Sequence, residues 1–274
     1  EKSDTVTVME KIGHFLDEEN QRILEYYKND YSNLELTSII EDNLDLPRVL
    51  RRSFKDFDGG FAMAGMTGYG AAFVARDPAG IRPAYYFAVD EIVVGAAEKP
   101  AIKTAFGCDD AEIKEVQPGH ALVIDKKGDY AEHEFAEPLP KRSCSFERIY
   151  FSRSSDPGIY RERRELGKLL VPQILDSIDY DLKNTDFSYI PNTAETSYLG
   201  MIEGIERYLI ERRKDVIING QSDPAQVEEL LSFRPRVEIL VMKDAKLRTF
   251  ITDDEQRGDL VSHVYDTTYE VINK

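Results

Sequence analysis

The hydrophobic rhythm of the chain changes twice, and this limits its possible folds more than any other feature. Up to about residue 57 apolar side chains recur at helical spacing: Val6, Met9, Ile12, Phe15 and Leu16 follow a Ser3-Asp4 pair suited to capping. Further helices are predicted at about 34–42 and 47–57, the second with Pro47 in its first turn. From Gly60 to Phe135 the period becomes that of strands. Short runs of Phe, Tyr, Val and Ile are punctuated by Gly65, Gly68, Gly70, Gly80, Gly95 and Gly119 and by a "DKKGD" hairpin signal at 125–129. This block predicts a largely antiparallel sheet. A proline-containing stretch, "AEPLPKRSCS" at 136–145, breaks the pattern. Beyond it, strand-like "RIYFSR", "DFSYIP" and "RVEILVM" alternate with helical stretches at 160–180 and 195–214, which predicts βαβ units around a parallel sheet. A domain boundary is placed near residue 140, giving domains over 1–140 and 141–274.

Composition narrows the function classes. Hydrophobic content of 42% and charged content of 31% fit a soluble globular protein, and no apolar run approaches the roughly 18 residues of a membrane span. A net charge of -16 without a basic, aromatic-interleaved cluster argues against nucleic acid as a partner. Two cysteines make no disulfide framework and no secretion signal opens the chain, so a cytoplasmic location is expected. His14, His120, His133 and His263 show no metal-ligand spacing.

Between two apolar runs lies a rigid, charged corner, "RDPAGIRPAYYF" at 76–87. Pro78 and Pro83 fix the backbone, Gly80 admits an unusual dihedral, and Asp77 is positioned to pair with Arg76 or Arg82 across the turn, so its residues predict a scaffold between strands. The corner resembles a turn of glutamine-dependent amidotransferases that use an N-terminal cysteine nucleophile, asparagine synthetases included. "VQPGHALVID" followed by "RSCSFERIYFSR", then "IPNTAETSYLGMIEGI" and "VMKDAKLRTFI", resemble in the same order segments of the amidophosphoribosyltransferase family. The resemblance covers nearly the whole chain. It implies an α+β N-terminal-nucleophile glutaminase domain of αββα layers, then an α/β type I phosphoribosyltransferase domain, both incomplete. The implied reaction is transfer of ammonia from glutamine to phosphoribosyl pyrophosphate, giving 5-phosphoribosylamine. The implied substrates are therefore glutamine and phosphoribosyl pyrophosphate, in a homo-oligomer.

The same resemblance assigns site residues. Asp4 falls where the family's carboxylate binds the α-ammonium of glutamine; by its residues alone, a helix N-cap is the competing role. Lys243 and Arg248 match cations of the loop that closes over the diphosphate, although Ala245 stands where the family has arginine. Thr193 matches a hydroxyl residue near a magnesium site, with "PNT" in place of Pro-Asp-Ser. Cys144 falls where some members ligate an iron–sulfur cluster, but a cluster needs four thiolates and the other three have no counterpart here. The nucleophilic cysteine has none either, because Cys108 and Cys144 lie too far along the chain. Asn219-Gly220 is read as a turn rather than an oxyanion element, and "FITDDEQRGDL" at 250–260 as a solvated helix start rather than a phosphate cradle. The chain is thus expected to be an inactive fragment of an enzyme. The alternatives are a non-catalytic regulatory relative, suggested by "PNT", Ala97 and Ala245, or an asparagine synthetase-like protein that shares the corner.

Overall fold

The computed structural model describes residues 3–220, 223–243 and 264–268. The chain divides into two compact units, Glu1–Glu147 and Arg148–Lys274, so the 136–145 stretch belongs to the first.

The first unit opens with three helices, α1 (Asp4–Tyr27), α2 (Asn33–Asn43) and α3 (Leu46–Ser53). Two have well-made N-termini. Ser32 and Glu35 form a reciprocal capping box on α2, and Asp45 accepts the Arg48 N–H at 3.0 Å on α3, with Pro47 in the first turn. Seven strands follow: β1 (Ala62–Met66), β2 (Ala72–Arg76), β3 (Tyr85–Val89), β4 (Ile92–Ala96), β5 (Lys114–Glu115), β6 (His120–Ile124) and β7 (Tyr130–Glu134), with α4 (Lys99–Phe106) between β4 and β5. They form two antiparallel sheets, ordered β1-β2-β6-β7 and β4-β3-β5.

Strand alternation builds the layers. On β2, Phe73 and Ala75 pack with Leu46, Val49, Leu50 and Phe54, while Val74 between them turns to the second sheet. On β6, Ala121 and Val123 join the helical side and Leu122 meets Tyr86 and Val116. On β3, Tyr86 faces the first sheet and Phe87 faces Ile102 of α4. The order is helices, sheet, sheet, helix, an αββα arrangement. The "DKKGD" hairpin joins β6 to β7, with the Asp125 N–H bonded to the Asp129 carbonyl at 2.9 Å.

The second unit contains α5 (Pro157–Ser177), β8 (Asp186–Phe187), α6 (Glu195–Ile218), α7 (Pro224–Ser232), β9 (Arg236–Val237), β10 (Val241–Lys243) and β11 (Tyr265–Thr267). β8 and β9 pair in parallel across the α6–α7 crossover, the βαβ arrangement predicted from the alternation; β10 and β11 are antiparallel. Its core joins Val171 and Leu175 of α5 to Tyr198, Ile205 and Leu209 of α6 and Phe187 of β8. α5 and α6 cross closely because two glycines meet main chain there. A Cβ on Gly167 would lie 1.8 Å from the Ser197 carbonyl oxygen, and one on Gly200 would lie 2.0 Å from that of Arg164.

Two local expectations are corrected. "RIYFSR" is no strand: residues 147–151 form a single π-helical turn. The cause is Arg163, buried on α5, whose guanidinium donates to the Arg148 carbonyl at 3.0 Å and the Ser152 carbonyl at 2.6 Å. Within the predicted strand block, "KPAIKTAF" is α4, with Pro100 in its first turn and Gly107 at φ 65° ending it.

Candidate functional site

The corner sits at the end of β2 and is almost completely satisfied internally. Asp77 has no exposed surface. Its carboxylate accepts the main-chain N–H groups of Ile81 and Arg82, both at 2.9 Å. Arg76, also buried, donates to the carbonyls of Arg82 and Val116 at 2.8 Å and of Gly80 at 3.2 Å, and pairs with Glu115 at 2.7 Å. The Asp77 carboxylate thus recognises the main chain of its own turn. Gly80, at φ 60°, supplies the left-handed bend that brings these groups together.

Asp4 is exposed and is the first residue inside α1; Ser3 occupies the N-cap without a side-chain capping bond. The capping role open in the sequence is thus not taken by Asp4. The residue lies instead on a cleft of about 680 Å³ between α1 and β1. Met9, Ile12 and Leu16 of α1 face Met63 and Phe73 across it, with Asp4, Thr5 and Thr67 as its polar lining. A carboxylate beside an apolar hollow offers an ion-pair partner to an ammonium group whose aliphatic remainder lies in the hollow. The cleft was not read from the sequence, although its α1 face is the apolar stripe that predicted the helix.

In the second unit, Thr193 lies half-buried in the turn between β8 and α6. Lys243 ends β10, its ammonium 5.6 Å from the centroid of the Tyr265 ring on the partner strand. Arg248, Ala245, His263 and the 250–260 segment lie outside the described residues. Cys144 is half-buried in the first unit, whereas Cys108 is buried beside Phe87, Ile102 and Ile113.

No family model matches the chain. Among curated proteins, the chain is 26% identical over 255 residues to an amidophosphoribosyltransferase from Lachancea kluyveri, covering 85% of this chain and 46% of that protein. A second so named, from Saccharomyces cerevisiae, is 28% identical over 178 residues, covering 58% of this chain and 32% of that protein. The chain is similar to amidophosphoribosyltransferases over most of its length. It spans about half the length of the first of these relatives. Among solved structures, the glutamine phosphoribosylpyrophosphate amidotransferase from B. subtilis, complexed with ADP and GMP, has a TM-score of 0.52 at 20% identity, over 94% of this chain and 50% of that one. A structure described as the allosteric regulatory enzyme of purine biosynthesis scores 0.54 at 20% identity, over 92% and 49%. These likenesses concern the fold.

No group of three or more His, Cys, Asp or Glu able to hold a metal occurs among the described residues, and Thr193 offers a single neutral oxygen. These residues do not by themselves make a magnesium site. Nor do two thiols, one of them packed in the core, fit a four-thiolate cluster. No membrane-length apolar helix occurs among the described residues.

Proposed function

We propose that this chain is part of an amidophosphoribosyltransferase acting in the first step of de novo purine synthesis. In the complete protein, hydrolysis of the glutamine side-chain amide yields glutamate and ammonia. The ammonia nitrogen then bonds to C1 of phosphoribosyl pyrophosphate as the C1–O bond to pyrophosphate breaks, and the surplus proton leaves to solvent. The observation that carries the reading is similarity to one such enzyme running through 85% of the chain.

The residues take distinct parts. Asp4 holds the glutamine ammonium at the α1–β1 cleft, orienting the amide towards the cysteine nucleophile of the complete protein. Lys243 and Arg248 offset the negative charge that gathers on departing pyrophosphate. Thr193, in the turn between β8 and α6, takes the place of the hydroxyl residue that the resemblance puts near the transferase site. In this reading the first unit, 1–147, belongs to the glutaminase part of the protein and the second, 148–274, to its transferase part. The complete protein is cytoplasmic and homo-oligomeric in this reading.

Assaying the full-length protein for glutamine-dependent release of pyrophosphate from phosphoribosyl pyrophosphate tests the reading. Pyrophosphate formation that depends on both substrates supports it; a requirement for ATP and aspartate instead would place the protein with the asparagine synthetases.

A further inference from the structure

The corner has a use beyond satisfying its own backbone. Three of its N–H groups are consumed internally, those of Ile81 and Arg82 by the Asp77 carboxylate and that of Gly80 by the Asp77 carbonyl. Its carbonyls divide into two sets. Those of Gly80 and Arg82 accept from Arg76, whereas those of Pro78 and Ala79 each accept, at 2.9 Å, an N–H from the segment after β7: Leu139 to Pro78 and Arg142 to Ala79. That segment has no helix or strand of its own over 137–144 and contains Pro138 and Pro140. It is held at its start by the Gly119 carbonyl, which accepts from Phe135 and Ala136 at 2.9 and 3.1 Å. At its end Glu147, only 6% exposed, pairs with the guanidinium of Arg82, a corner residue.

We propose that the corner is a clamp, with the Pro78 and Ala79 carbonyls as its seat and Arg82–Glu147 as its latch, which pins residues 136–147 and so fixes where the chain leaves the first unit. The seat is rigid before the segment arrives, because Asp77 and Arg76 hold the turn from inside. The segment, which supplies no regular structure, takes its shape from the seat. A buried carboxylate at the last residue of the unit needs a nearby cation, and Arg82 provides one from the same turn. Arg82 is thus a positioning residue, and the proposal stands whether or not the enzymatic reading holds.

Amide hydrogen exchange on the present chain tests it. In Arg82→Gln, the Leu139 and Arg142 amides are expected to exchange roughly tenfold faster or more, while those of Ile81 and Gly80, tied to Asp77, keep their rates within about threefold. If Arg82→Gln does not fold, Glu147→Gln breaks the same latch at similar size and is read identically. Exchanging the charges, Arg82→Glu with Glu147→Arg, should bring Leu139 and Arg142 back towards their original protection. Unchanged exchange at Leu139 and Arg142 would overturn the proposal, as would uniform acceleration across the unit or failure of the charge exchange to restore protection.

Discussion

Asp77 illustrates how much one side chain can organise when its surroundings leave it no water. Removing it in Asp77→Ala would strand the main-chain N–H groups of Ile81 and Arg82. The expected cost is about 3 kcal/mol, which lowers the melting temperature of the first unit by roughly 6–12 °C in calorimetry. Tyr86 makes a separate prediction. Burial, aided by a hydrogen bond to Glu132, pushes its hydroxyl up to about 12. A group that titrates higher when folded contributes stability below its unfolded value near 10, and this is lost as pH rises through the folded value. Unfolding by denaturant should therefore show stability falling between about pH 10 and 12, with Tyr86→Phe removing roughly 2–3 kcal/mol of that fall. Asp4 carries the functional prediction at this scale. In the complete enzyme, Asp4→Asn should lower glutamine kcat/KM about 30-fold to 1000-fold, the loss of one charge-assisted contact. Synthesis driven by free ammonia should stay within about threefold of wild type, because ammonia needs no ammonium anchor. Equal losses with both nitrogen sources would make Asp4 structural.

Elements whose own residues decide their form were legible in the sequence, and those shaped by a distant partner were not. The stripe Ile12, Phe15 and Leu16 packs on the main core, as its spacing predicts, and "DKKGD" closes the hairpin it signals. "RIYFSR" has strand composition, yet Arg163 claims its carbonyls from another element, a contact no local pattern contains. α4 carried Pro100 and Gly107 as start and stop signals, but in eight residues between strands the periodicity is too brief to stand out. The corner read correctly as scaffold. Its hold on residues 136–147 was invisible because carbonyl acceptors leave no mark in composition. The close approach of α5 and α6 gives a prediction at this scale. Gly200→Ala should destabilise the second unit by about 1–3 kcal/mol, because a methyl at 2.0 Å from the Arg164 carbonyl oxygen forces two backbones apart. A chemical melt followed in that unit checks this, and an unchanged midpoint would show that the helix pair tolerates the separation.

At the scale of the whole molecule, the antiparallel strands of the first unit and the parallel β8–β9 pair of the second followed from the two changes of hydrophobic period, whereas the αββα layering was implied only by the family resemblance. The α1–β1 cleft followed from neither, since it depends on how a helix stripe and a strand face are spaced in three dimensions. The reaction was readable only through the order of four family-like segments; the residues by themselves named a scaffold, a possible cap and scattered cations. The central claim is the passage of nitrogen from the glutamine amide to the C1 of phosphoribosyl pyrophosphate. Its most direct measurement gives the full-length protein glutamine labelled with 15N at the amide, together with phosphoribosyl pyrophosphate, and follows the label by mass spectrometry while counting glutamate and pyrophosphate. The account predicts 15N in phosphoribosylamine, with one pyrophosphate formed for each glutamate. Label left wholly in free ammonia, with no pyrophosphate released, would contradict it.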